Sequence, residues 1–144
     1  MSNIVIKYLG HSAFYIKTAT AGILIDPFIS QNPNANFDYT KEKITHIFVT
    51  HGHSDHLGDS ISISKSTGAV VVAVFELANY CSRKGAEANG VNLGGKIHFK
   101  WGDAWLVPAR HSSSTPDGNY AGEAAGIVFS VGGVKIYHAG DTAL

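Results

Sequence analysis

The stretch Ile44-Thr45-His46-Ile47-Phe48-Val49-Thr50-His51-Gly52-His53-Ser54-Asp55-His56 decides how this chain is read. Its first half is an apolar run that reads as a buried strand. Its second half places His51, His53, Asp55 and His56, four metal-competent side chains, within six positions. A strand that empties into such a turn delivers ligands to the mouth of a sheet. Neutral imidazole and carboxylate bind zinc and similar divalent ions at about 2.0–2.2 Å. His51 and His53 are two residues apart, and alternate side chains of an extended or turning backbone point the same way. They can chelate one ion together, while Asp55 and His56 face a second across the turn. Two ions about 3.5–4 Å apart can share one hydroxide, which forms near neutral pH because each ion lowers the pKa of bound water toward ~7. The spacing therefore points to two metals, and two metals to hydrolysis. The alternative is a polar surface loop with incidental histidines, which so dense a pattern disfavours.

Four ligands do not fill two coordination spheres. His111 and Asp141 are the further candidates, each just after an expected strand in a polar or glycine-rich loop. His111 can complete a three-histidine site with His51 and His53. Asp141 can bridge the ions, since a carboxylate has two oxygens. Either residue alone could equally be an ordinary loop residue. His11, after Gly10 in an expected turn, is open to two readings, a contact to substrate or ligand and a structural hydrogen bond. His138 sits at a strand end with no clear direction. His46 and His98 lie within expected strands and read as structural or exposed. Ser112, Ser113 and Ser114 lack the Gly-x-Ser-x-Gly setting of a nucleophile and more simply shape their loop.

Around the motif, strands are expected at 4–9, 13–18 and 22–27, joined as an antiparallel meander. A polar loop over 29–43 follows, of a length that tends to be functional or mobile. The strand at 44–50 feeds the motif. A helix over 57–66, a strand over 69–74 and a helix over 75–84 closed by Gly85 come next. Strands are then expected at 96–100 and 104–108. Residues 126–131 and 134–138 read as a hairpin with a Gly132-Gly133 turn. The pattern is α/β or α+β, helices against sheet.

Composition limits the alternatives. A chain of 144 residues with 44% hydrophobic and 15% charged residues builds one domain, 1–144, with its own core rather than a disordered segment. Sixteen glycines, against roughly ten expected at ~7%, imply many tight turns. The 11 basic and 11 acidic residues balance, with no basic block, so neither nucleic acid nor an anionic membrane is the expected partner. No apolar stretch approaches the ~18–20 residues that span a bilayer. The N-terminus has no charged region followed by a long apolar one. The single cysteine, Cys81, cannot form an internal disulfide, which fits a reducing cytoplasm.

The His51-Gly-His53-Ser-Asp55-His56 turn resembles the His-x-His-x-Asp-His signature of the metallo-β-lactamase superfamily, and Gly140-Asp141-Thr142 its later Gly-Asp-Thr/Ser motif. Tyr8-Leu9-Gly10-His11-Ser12-Ala13-Phe14, Leu24-Ile25-Asp26-Pro27-Phe28, Phe75-Glu76-Leu77-Ala78-Asn79-Tyr80 and Tyr137 to Leu144 are similar to UPF0173-type metal-dependent hydrolases, a group related to the L-ascorbate-6-phosphate lactonases. The resemblance runs from end to end. It implies the αβ/βα sandwich fold, of which this chain is the N-terminal half to two-thirds. It implies His51, His53 and His111 on one metal, Asp55 and His56 on the other, and Asp141 between them. It also puts His11 near the centre, so that Asp55 and His11 are expected to take part in catalysis. Asp26 would support the ligands from behind, or else serve only as a turn former before Pro27. The implied cofactors are two divalent ions, zinc first, with manganese, nickel or iron as alternatives. The implied activity is attack of metal-bound hydroxide on an ester, lactone, amide or phosphoester of a small molecule. Full-length members continue past this motif and add a last histidine ligand. The resemblance therefore implies an incomplete second metal site in this chain, with a homo-oligomer or a complementing C-terminal chain as the expected partner.

Overall fold

The computed structural model describes residues 4–143. Residues 1–3, part of the N-terminal reading, and Leu144, the end of the last motif, lie outside the described residues. Among the described residues, ten strands form two sheets. In the first, β1 (Val5–Gly10), β2 (Ala13–Lys17) and β3 (Gly22–Ile25) make the expected antiparallel meander. Then β4 (His46–Phe48), β5 (Val70–Val74) and β6 (Ala88–Val91) add in parallel, giving the order β1-β2-β3-β4-β5-β6. The second sheet is antiparallel, order β10-β9-β8-β7, from β7 (Lys96–Phe99), β8 (Gly102–Pro108), β9 (Ala125–Val131) and β10 (Val134–His138). Helices α2 (Ser60–Thr67) and α3 (Phe75–Arg83) are the crossovers between the parallel strands, as parallel pairing requires.

The central strands are apolar because they are covered on both faces. Ile23, Leu24, Ile47, Phe48, Val71 and Val72 are all inaccessible to solvent. The two sheets meet over an aromatic cluster. Phe48 of the first sits edge-on to Phe129 of the second at 4.9 Å, and Trp101 stacks on Phe99 at 4.6 Å. Burial of each such side chain contributes about 1.5–3 kcal/mol.

Two elements differ from expectation. The helix expected over 57–66 is broken. A single turn, α1 (Ser54–Leu57), begins inside the metal-type motif, and α2 starts only at Ser60. Gly58 makes the break, with φ of 45° and its α-carbon pressed against Pro27, where a Cβ would lie 2.5 Å from the carbonyl oxygen. Asp59 then accepts the Ile29 and Ser30 amides at 2.9 and 2.7 Å, which ties down the start of the long loop. Strand β6 was not anticipated, because Ala88-Asn89-Gly90-Val91 has little strand propensity. It is an edge strand, and Phe75 packs so close over Gly90 that a Cβ there would meet its ring at 3.0 Å.

Candidate metal centre

Parallel pairing of β3 with β4 aligns Ile25 with Phe48, so both strands end at one edge. Asp26 follows the first and Thr50 to His56 follow the second. In the other sheet, β8 leads toward His111 and β10 toward Asp141. Four segments far apart in sequence thus converge at one edge of the sandwich. Two glycines permit the closeness. A Cβ on Gly52 would lie 2.5 Å from the Ala121 side chain. One on Gly140, whose φ is +64°, would lie 2.7 Å from the Ala125 carbonyl oxygen and 3.0 Å from Thr50.

Every site residue named from the sequence arrives at this edge. The donor atoms of His51, His53 and His111 lie within 4.8 Å of one another, as do those of His11, Asp55 and His56, and those of His51, His56 and Asp141. His51 Nε2 is 3.0 Å from His53 Nδ1, close to the ~3.3 Å separation of two nitrogens on one tetrahedral zinc. Asp141 Oδ2 stands between the groups, 3.3 Å from His56 Nε2 and 3.6 Å from His111 Nε2.

Behind these atoms lies a buried support that the sequence only half disclosed. Asp26 is fully buried and takes a positive φ of 42°. Its Oδ1 accepts the Thr50 amide at 2.8 Å, and its Oδ2 accepts the Thr50 hydroxyl at 2.7 Å and His56 Nδ1 at 2.8 Å. Because the Thr50 hydroxyl donates to Asp26, its lone pair accepts the His51 Nδ1 proton at 3.0 Å. Both histidines are thereby fixed with Nδ1 protonated and Nε2 turned into the site, the arrangement that orients imidazole ligands. By sequence Thr50 is only the last residue of the expected strand over 44–50.

The fit to a metal is tested by His56. Its Nε2 is buried and has no hydrogen-bond partner among the described residues, a costly state for a polar atom. It faces the oxygens of Asp141 and, at 3.8 Å, Asp55. A cation among these atoms satisfies all of them. Protonation equilibria agree. Burial, reinforced by neighbouring His56, pushes His51 down to about 4, so its imidazole is neutral at pH 7, the form a metal requires of a histidine. Burial acts against charge on His56 too, but Asp26, Asp141 and Asp55 outweigh it and raise its pKa. That site attracts positive charge.

Two other histidines are structural. His138 Nε2 donates to the Ser12 carbonyl at 2.9 Å while Nδ1 accepts the Gly140 amide at 3.2 Å. It positions the Asp141 loop and is no ligand. Half-buried His46 packs against Phe99 and Trp101. Ser113 Oγ accepts the Gly52 amide at 3.2 Å, so this serine shapes the motif turn. The expectation that Asp26 supports the ligands is met in geometry, and it is a turn residue as well.

Comparison with known proteins places this edge in context. The chain is 48% identical over 139 residues to a UPF0173 metal-dependent hydrolase of Thermus thermophilus, covering 96% of this chain and 62% of the relative. It is 42% identical over 142 residues to another of that description from Heliobacterium modesticaldum, covering 96% and 60%. The chain thus spans about three-fifths of the length of the curated relatives it matches. Among solved structures, a metallo hydrolase of the archaeon Ignicoccus hospitalis superposes with a TM-score of 0.84 at 32% identity, over 98% of this chain and 62% of that one. The β-lactamase superfamily domain model matches residues 22–144, which include every candidate site residue except His11. With fold, motif and model in agreement over most of its length, the chain belongs to the β-lactamase superfamily domain family.

Proposed function

We propose that this chain carries the metal centre of a metal-dependent hydrolase acting on a small-molecule ester, lactone, amide or phosphoester. The observation that carries the reading is the buried, unpartnered His56 Nε2 facing two carboxylates, beside three convergent histidines. His51, His53 and His111 would hold one divalent ion, Asp55 and His56 another, and Asp141 would bridge them. The nitrogen-rich first set favours zinc, with manganese, nickel or iron as alternatives. Ions bound there supply Lewis acidity and lower the pKa of water toward ~7. The chain's own residues do the rest. Asp26 and Thr50 hold His51 and His56 in one tautomer. Asp55 and His11, paired at 2.8 Å and partly exposed, form the solvent-facing side at which substrate enters.

The likeness to metal-dependent hydrolases supports this reading. No described helix is long and apolar enough to cross a membrane. Cys81 is buried, with its thiol pushed up to about 12 by that burial. An unpaired thiol suits the reducing cytoplasm we assign to the protein. The test is metal analysis with ester and phosphodiester turnover. Near-stoichiometric metal is expected, and both metal and turnover should fall in His53→Ala. Absence of metal from the wild-type chain, or full turnover in His53→Ala, refutes the assignment.

A second reading rests on the cleft of about 300 Å³ between β1 and β10, lined by Ile6, Tyr8, Phe14, Ile136 and Tyr137 beside His11 and Gly140. Ile6, Tyr8 and Tyr137 there are 50–61% exposed. On this reading the centre binds metal but turns over substrate only when further polypeptide, like the part of the relatives not spanned here, covers the cleft. A monomer by light scattering that hydrolyses substrate unaided counts against it.

A further inference from the structure

We propose that His11 is a direct ligand of the second ion through Nε2, so that His11, Asp55, His56 and Asp141 form a complete N2O2 donor set within these residues. The inference rests on the hydrolase-centre reading above and deepens it. On the resemblance alone, a histidine from another part of the chain would be needed to finish that site.

Three independent features converge on His11. The first is position. Its donor atom lies with those of Asp55 and His56 inside 4.8 Å, and its Nε2 is 2.8 Å from Asp55 Oδ2. Its Nδ1 meets Ser12 Oγ at 3.2 Å. If Nδ1 donates there, Nε2 carries a lone pair. Two acceptors at 2.8 Å repel unless a cation lies with them. The second is the orphaned His56 Nε2, which opens onto the same space and is 3.8 Å from the same Asp55 oxygen.

The third is backbone. His11 has a φ of +52°, one of two described non-glycine residues in that region. Asp26, beneath the same site, is the other. Such conformations are strained and persist where surroundings enforce them. Here the β1–β2 ladder shifts register between Tyr8 and Gly10, the Tyr8 hydroxyl donates to the His11 carbonyl at 3.0 Å, and Phe28 meets the His11 ring edge-on at 5.8 Å. The turn spends backbone energy to bring an imidazole to a carboxylate 44 residues away in sequence. Two imidazoles and two carboxylates suit zinc, iron or manganese.

The competing role is positioning only, with His11 donating a proton to Asp55. His11→Gln separates the two. A glutamine Nε2 reaches the position of the imidazole Nε2 and can still donate to Asp55, but the imidazole ligand is gone. Zinc stoichiometry should be measured by calorimetry on the metal-free chain, wild type against His11→Gln and His11→Ala, with ring-nitrogen NMR of 15N-histidine. We expect two equivalents in wild type and one in both variants, the first binding event being unchanged. The His11 Nε2 resonance should move only with the second equivalent. Two equivalents retained in His11→Gln, fewer than two in wild type, or an unshifted His11 resonance at saturation each overturn the inference. If wild type binds two ions with His11 unshifted, the hydrolase-centre reading survives and only this inference falls. If wild type binds none, both fall.

Discussion

Replacing Asp26 with asparagine probes the support of the whole site without touching a ligand. The two carboxylate oxygens accept three bonds, from the Thr50 amide, the Thr50 hydroxyl and His56 Nδ1. An asparagine has one acceptor oxygen. If that oxygen takes the place of Oδ2, it keeps the hydroxyl and His56, and its NH2 then confronts the Thr50 amide donor. If it takes the place of Oδ1, two bonds are lost. The first arrangement is cheaper and still strands a buried donor, at about 1–3 kcal/mol. Loss of a buried charge relieves some desolvation, so we expect a net destabilisation of about 2 kcal/mol. Asparagine is the right probe because it tolerates the positive φ that Asp26 adopts. Alanine would mix backbone strain with loss of the bonds.

The same substitution should weaken zinc binding by about 10–100-fold, the usual effect of removing a partner that orients a histidine ligand. That is about 1.4–2.7 kcal/mol at 1.4 kcal/mol per tenfold. The His56 pKa should also drop, because Asp26 heads the groups that raise it. Urea unfolding in chelator reads the stability, calorimetry against a competing chelator reads the affinity, and histidine NMR reads the pKa. An unchanged unfolding midpoint together with zinc affinity within twofold of wild type would refute the relay from Asp26 through Thr50 and His56.

Two more perturbations test the same edge. His51 is fully buried, and its pKa falls from 6.5 to about 4 on folding. The metal-free chain should keep this contribution above pH ~6.5 and lose it as pH drops toward ~4, to a limit of about 3 kcal/mol at 1.36 kcal/mol per unit. His56 shifts upward, so its contribution is present at low pH and lost as pH rises through its folded pKa. His51→Asn should therefore flatten the acid limb specifically, read as urea midpoints from pH 7 to pH 4 in chelator, and an unaltered limb would count against His51 as its source. Gly140→Ala places a Cβ 2.7 Å from the Ala125 carbonyl oxygen at a φ of +64°. We expect about 1–2 kcal/mol of strain from the dihedral alone, and weaker zinc binding as Asp141 shifts. Wild-type affinity in that variant would mean that Asp141 does not need this close approach.

What the sequence could disclose follows from how local each signal is. The His51 to His56 turn is legible because its candidate ligands lie side by side and a strand delivers them. His111 and Asp141 carry no local mark beyond a loop after a strand, and the family pattern was needed to join them to the turn. The broken helix was missed because serine-rich 60–67 lies next to 54–57 and only contact of Gly58 with Pro27 separates them. Strand β6 was missed because an edge strand is held by its neighbour's backbone rather than by its own composition. Thr50 was invisible for a different reason. A β-branched residue at the end of a strand looks like strand, and its hydroxyl acquires a role only when β3 and β4 pair with Ile25 opposite Phe48. Asp26 is the most instructive residue. From sequence, turn former and ligand support were rival readings, yet they are one structure. The positive φ that turns the chain toward Pro27 is the same conformation in which the carboxylate lies under Thr50 and His56. No reading of residue type could choose between roles that the backbone makes inseparable.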